Sequence, residues 1–187
     1  VCKKPFPSVP LGIIGDTSGA KFNSTYFEKW PGIWHHGDLA SWTSEGGIVI
    51  HGRSDSTLNI GGVRIGTGEI YSALEKLEEV SDALAFSKPH DGDLQIVLLV
   101  IPSSSDFNAN ELTDLIKKTV KTLCSPRHVP SQIYFVTDLP RTFNGKLAEV
   151  ALTDLVHERT IRNLSSLANP QALGEIAKIL GIKQQVN

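Results

Sequence analysis

Apolar positions along this chain recur with two different periods, and the change of period divides it into elements. Ile70, Ala73, Leu74 and Leu77 fall at helical spacing and predict a helix beginning near Thr67. Leu112, Leu115, Ile116, Thr119, Val120 and Leu123 line one face of a second helix. Its lysines, Lys117, Lys118 and Lys121, lie toward the C-terminal half, where cations suit the helix dipole. Leu94 to Ile101 is nearly all apolar and predicts a central strand. Ala83 to Ser87 predicts a shorter one, and the intervening His-Asp-Gly-Asp predicts a tight turn joining an antiparallel pair. Further strands are predicted over Gly47 to His51 and Gln132 to Val136, and a helix starting at Leu147 that reaches toward Arg159. Asn169-Pro170 reads as an N-cap followed by proline at the first helical position; the last helix, Gln171 to Leu180, stops at Gly181. The order β-α-β-β-α-β with terminal helices predicts an α+β fold, a small mixed sheet covered by helices.

The pattern is weaker upstream. Val1 to Pro10 is proline- and lysine-rich and predicts an extended edge segment. Leu11 to Phe22 has turn signals at Gly15-Asp16 and Ser18-Gly19, predicting a short strand and a hairpin-like turn. Tyr26 to Trp42 holds all three tryptophans, a density of aromatic area that calls for a partner surface.

Composition narrows the function. With 187 residues, one or two domains fit, and 40% hydrophobic residues suffice for an ordinary core. A net charge of −2 gives no general attraction to nucleic acid or to an anionic membrane. The apolar run Ile96 to Ile101 is far too short to span a bilayer. Cys2 and Cys124 lack metal-ligand spacing, which fits a reduced, cytoplasmic setting. The chain has no methionine and begins at Val1, so it reads as a piece of a longer polypeptide.

The candidate chemistry concentrates in two places. Gly52 to Arg64, GRSDSTLNIGGVR, sets Arg53, Asp55 and Arg64 on small, flexible residues between a strand and a helix. Such a stretch is a binding loop, a hinge or a polar surface turn. Lys146 follows Asn144-Gly145 in a turn, so its ammonium sits on a flexible base and can meet negative charge building on phosphate or carboxylate oxygens. Asp38, in His36-Gly37-Asp38, is a natural acceptor for two ribose hydroxyls or a simple turn residue.

Three stretches in order carry a resemblance: YFEKWPGIWHHGDL (Tyr26 to Leu39), the Gly52 to Arg64 run, and PRTFNGK (Pro140 to Lys146). They resemble the aromatic Gly-Asp segment, the Gly-Arg-x-Asp hinge and the Pro-x-Thr-x-x-Gly-Lys motif of adenylate-forming enzymes, which include acyl-CoA synthetases, luciferases and peptide-synthetase adenylation domains. The resemblance implies that residues 1–54 are a β-rich remnant ending a large N-terminal AMP-binding domain, and 55–187 a small mobile C-terminal domain. It implies Lys146 as the catalytic lysine of adenylation, Asp38 and Arg53 as ribose contacts, and Arg64 as a phosphate contact in a second rotational state. It further implies Asp55 as the hinge, and Asn59, Gly61 and Gly62 beside the pantetheine of coenzyme A. Lys121 and Arg127 are candidates for the nucleotide phosphates of coenzyme A, or plain surface charge.

SPRHVPSQI, NGKLAEVA and NPQAL resemble the members that activate acetoacetate, implying acetoacetate, ATP (with Mg2+) and CoA as substrates. Another short-chain acyl-CoA synthetase and a non-catalytic binding module stay open. The missing N-terminal domain is the implied partner, and a lysine acetyltransferase acting on Lys146 is a possible second one. Two departures stand out: Asn59 where many relatives have lysine, and Thr-Phe-Asn-Gly-Lys where Ser-Gly-Lys is commoner.

Overall fold

A computed structural model describes residues 3–4, 6–54, 58–60, 62–161 and 164–182, with the backbone alone at 51–53, 59 and 64. A three-stranded sheet organises the C-terminal two thirds. Its order is β5 (Val80–His90), β6 (Asp93–Pro102), β7 (Gln132–Phe135). β5 and β6 are antiparallel, with His90 opposite Asp93. Asp91 and Gly92 both take positive φ, 48° and 82°, the two-residue hairpin that the Asp-Gly pair predicts. Because that turn matches the twist of the strands, pairing carries on well beyond the Ala83 to Ser87 core expected from the sequence. β7 runs parallel to β6, which requires a crossover, and α3 (Ala109–Leu123) supplies it.

The sheet is covered on both faces, which explains the unbroken apolar run of β6. Alternate residues serve opposite sides. Leu84, Phe86, Val97 and Leu99 pack against α4 (Glu149–Val156) and α5 (Gln171–Leu180). Ala83, Ala85, Ile96, Leu98 and Val100 pack against α2 (Thr67–Leu74), α3 and the hairpin of β3 (Leu58–Ile60) and β4 (Val63–Ile65). Leu98, Leu99 and Val100 are fully buried. Each such side chain contributes roughly 1.5–3 kcal/mol by leaving water.

Local signals set the helix ends. Asn108 caps α3, its side-chain oxygen accepting from the Asn110 and Glu111 amides at 3.0 and 3.3 Å. Gly181 ends α5 in the left-handed region, as the sequence predicts. Asn169 departs from its expected role as an N-cap. Its side chain turns away from α5: Oδ1 accepts from the Arg141 amide at 2.7 Å, and Nδ2 donates to Asp138 and Leu139. α4 is shorter than expected, because Leu147 is held in a bridge to Arg141 and Glu158 takes a positive φ of 53°.

Residues 6–54 hold α1 (Ala20–Tyr26) and a two-stranded sheet of β1 (Asp38–Trp42) and β2 (Ile48–Arg53). The expected strand in Leu11 to Phe22 is instead turns leading into α1. Asp16 decides this, since its carboxylate accepts from the Phe22 amide at 2.7 Å in the first helical turn. That bond lowers the Asp16 pKa. The aromatics find part of their partner surface among themselves. Trp34 is buried, stacked on Tyr26 at 4.0 Å and edge-on to Phe6 and Phe27. Trp42, with Ile48 opposite it on β2, stays exposed, and so do Val49 and Ile50. Among the described residues, no helix is long and apolar enough to cross a membrane.

Candidate active site

The predicted site residues gather in separate places on this frame. Lys146 stands at the end of a closed turn. The Thr142 amide donates to the Lys146 carbonyl at 2.9 Å, and the Gly145 amide donates to Thr142 at 2.8 Å. Gly145 has φ +76°, a conformation glycine adopts without the steric cost a side chain would bring. Far from being a flexible base, the turn is tied to its surroundings. Phe143 donates its amide to the Ser166 carbonyl, and Ala168 donates to Arg141. The Arg141 guanidinium donates to the Gly145 carbonyl at 2.6 Å and to the Asp82 carboxylate on β5. The turn thus displays an exposed Lys146 beside an exposed Phe143 on a fixed mount.

Asp38 opens β1, and its Cα partner across the ladder is Arg53. Two residues far apart in sequence are therefore adjacent on the backbone. The strand junction is fixed by Ser54, whose amide and hydroxyl both donate to the Gly37 carbonyl, at 2.7 and 3.0 Å. His36 Nδ1 lies 3.2 Å from the Asp38 carboxylate. Asn59 pairs with Arg64 across the β3–β4 hairpin, which turns at Gly62 with φ +75°. Asp55 and Gly61 lie outside the described residues, as do the side chains of Arg53, Asn59 and Arg64.

Lys121 is exposed on the last turn of α3, and Arg127 is exposed on the short 3-10 turn Pro126–His128. That turn is fastened to α2. His128 Nε2 donates to Glu69 Oε2 at 2.5 Å, and its Nδ1 lies 2.8 Å from Ser125 Oγ. Cys124 Sγ donates to the Glu69 carbonyl at 3.3 Å, and burial, with the Glu69 charge second, pushes its thiol pKa up. A groove of about 640 Å³ lies alongside, lined by Val49 and Ile50 of β2, Glu69 and Ser72 of α2, and Leu123 and Cys124. That volume is in the range of small-molecule clefts. Among the described residues, no three His, Cys, Asp or Glu side chains gather as metal ligands.

The two faces of the sheet separate these groups. The Lys146 turn leads into α4 on one face, while the Asn59–Arg64 hairpin lies with α2 and α3 on the other. Sequence reasoning missed the supports: Asp82, Arg141, Glu69, His128, Tyr71 and Glu149. Ser125-Pro126 was a readable cap signal for the 3-10 turn. The Asp82–Arg141 pair, 59 positions apart, had no local signal.

Residues 69–146 match the model of the AMP-binding enzyme C-terminal domain. The chain is 46% identical over 183 residues to acetoacetyl-coenzyme A synthetase of Rhizobium meliloti (strain 1021), covering 98% of this chain and 28% of that protein. It is 38% identical over 175 residues to acetoacetyl-CoA synthetase of Gallus gallus, covering 92% of this chain and 26% of the relative. The solved structure of acetoacetyl-CoA synthetase from Streptomyces lividans superposes with a TM-score of 0.85 at 33% identity, over 97% of this chain and 28% of that one. The chain spans about a quarter of the length of the curated relatives it matches. It belongs to the family of AMP-binding, adenylate-forming enzymes, and residues 69–146 are a C-terminal domain of that family.

Proposed function

We propose that this chain is the C-terminal portion of an AMP-forming ligase that joins acetoacetate to coenzyme A. In the first step an acetoacetate oxygen attacks the α-phosphorus of ATP, forming acetoacetyl-adenylate and releasing pyrophosphate. In the second, the CoA thiolate attacks the adenylate carbonyl, forming the thioester and releasing AMP. Lys146 stabilises the charge shared by carboxylate and α-phosphate in the first step. Asp38 and Arg53 hold the ribose hydroxyls. Residues 55–187 then turn about Asp55 relative to a domain of which 1–54 is the end. Arg64 meets the adenylate phosphate, Asn59, Gly61 and Gly62 approach the pantetheine, and Lys121 and Arg127 pair with the nucleotide phosphates of CoA. Mg2+ travels with ATP, and no residue of this chain is assigned to it.

The observation that supports this reading best is the placement of the Lys146 turn and the Asn59–Arg64 hairpin on opposite faces of one sheet. A rigid body cannot offer both to one substrate, whereas a rotating one offers each in turn. The acid is tested by assaying the full-length polypeptide with acetoacetate, acetate and propionate. A kcat/KM highest for acetoacetate is the expected result; a preference for acetate or propionate assigns another short-chain synthetase, and no turnover with any acid leaves a binding module.

A further inference from the structure

We propose that Arg141 is a positioning residue for Lys146, clamping the peptide just before the lysine to the edge of the central sheet through Asp82. The inference rests on the adenylation role of Lys146. Gly145 has φ +76°, and glycine populates both signs of φ about equally, so glycine alone does not hold the direction in which the chain enters Lys146. Backbone bonds to Thr142 tie the Gly145 amide and the Lys146 carbonyl, and the peptide between them is held at the Gly145 carbonyl, which accepts from Arg141 Nη1 at 2.6 Å. The other terminal nitrogen, Nη2, is bound to Asp82 Oδ2, and Asp82 Oδ1 in turn accepts from the Ala83 amide at 2.8 Å within β5. A fixed chain of contacts therefore runs from a strand of the core to the peptide that carries the lysine.

Only a planar fork with separate donors makes both contacts at once. A lysine at 141 keeps the charge but presents a single ammonium, and it can satisfy Asp82 without the carbonyl. The backbone of Arg141 is fixed independently, its amide donating to Asn169 and its carbonyl accepting from Ala168. The side chain is thus free of any duty in holding its own backbone position. Arg141 and Asp82 are partly exposed, at 38% and 24%, so the pair adds little to stability as an ion pair. Its consequence is geometric, and misplacing a reacting group by about 1 Å slows a reaction by as much as 10²-fold.

The test uses the full-length polypeptide and single-turnover kinetics of each half-reaction. Arg141→Lys and Asp82→Asn are each expected to slow adenylate formation about 10- to 10²-fold. Thioester formation from supplied acetoacetyl-adenylate is expected to stay near the unsubstituted rate. The double variant Arg141→Lys/Lys146→Ala is expected to be no slower in adenylation than Lys146→Ala, because the arginine acts through the lysine. Equal loss in both half-reactions, or losses that multiply in the double variant, would overturn the inference and leave Arg141 a structural residue. If Lys146→Ala itself adenylates normally, the functional reading falls first. A separate readout is amide exchange in the 187-residue chain at Gly145, whose amide donates to the Thr142 carbonyl, and at Thr142, whose amide donates to the Lys146 carbonyl: faster exchange in both variants is expected, and unchanged exchange overturns the clamp whatever the kinetics.

Discussion

The Tyr71 hydroxyl donates to Glu149 Oε1 at 2.5 Å and accepts from the Ala85 amide at 3.1 Å. One phenol on α2 therefore reaches around the outer edge of β5 to the first turn of α4 and satisfies an edge donor on the way. Burial, reinforced by the Glu149 charge, pushes its pKa up, so the phenol stays a donor across the working range. Tyr71→Phe leaves the Ala85 amide and a carboxylate without their partner. The expected loss is about 1–3 kcal/mol. Urea unfolding of the chain checks it; an unchanged midpoint would show that water replaces the phenol at no cost.

His157, at the end of α4, carries a pH signature. Burial lowers its pKa, the Arg159 charge adds to this, and Asp154 partly offsets it. The folded chain thus binds the proton less readily than the unfolded chain, whose histidine titrates near 6.5. Stability from the neutral ring is present above that pH and is lost as pH falls through the lower, folded value. His157→Gln is expected to flatten the stability profile as pH falls below about 6.5, relative to the unsubstituted chain. Parallel profiles would remove His157 as the cause.

How much of this was legible in the sequence depends on range. β6, α3 and the Asp91-Gly92 turn were readable because each is set by its own residues: an apolar run, a 3.6-residue stripe and a pair tolerant of positive φ. The site residues were readable only through motif resemblance, since Lys146 or Asp38 alone resembles any surface charge. β2 was readable over Gly47 to His51, but its partner β1 and the β3–β4 ladder escaped because short, glycine-flanked strands carry little periodicity, even though the first ladder places Asp38 opposite Arg53. Asn169 misled, because an Asn-Pro pair signals a cap while a tertiary partner, the Arg141 amide, claimed its side chain.

The charge on Lys146 is expected to matter more than its bulk. In the full-length polypeptide, Lys146→Ala should slow adenylate formation by roughly 10²–10³-fold, the scale of one lost preorganised electrostatic contact. Acetylation of Lys146 by a lysine acetyltransferase should do the same, since it removes the charge. Lys146 is exposed and so within an enzyme's reach. Normal adenylation by fully acetylated enzyme would refute the assignment.

Asp55→Pro tests the hinge. Proline fixes φ near −65° and restrains the residue before it, so a rotation about this point is hindered. Thioester formation should fall while adenylation is largely kept, the reverse of Lys146→Ala. Half-reactions depressed in equal proportion would discard the hinge at Asp55.

The double-faced sheet has a consequence for solvent friction. A loop that flips moves a few side chains through water, but in the proposed rotation a sheet carrying one loop on each side sweeps its whole covered body to exchange them. Drag on such a sweep grows with the viscosity of the medium. Turnover limited by it should slow in proportion as glycerol or sucrose thickens the solution, while the chemistry of the pre-positioned Lys146 turn should not. A turnover rate indifferent to viscosity would place the slow step elsewhere.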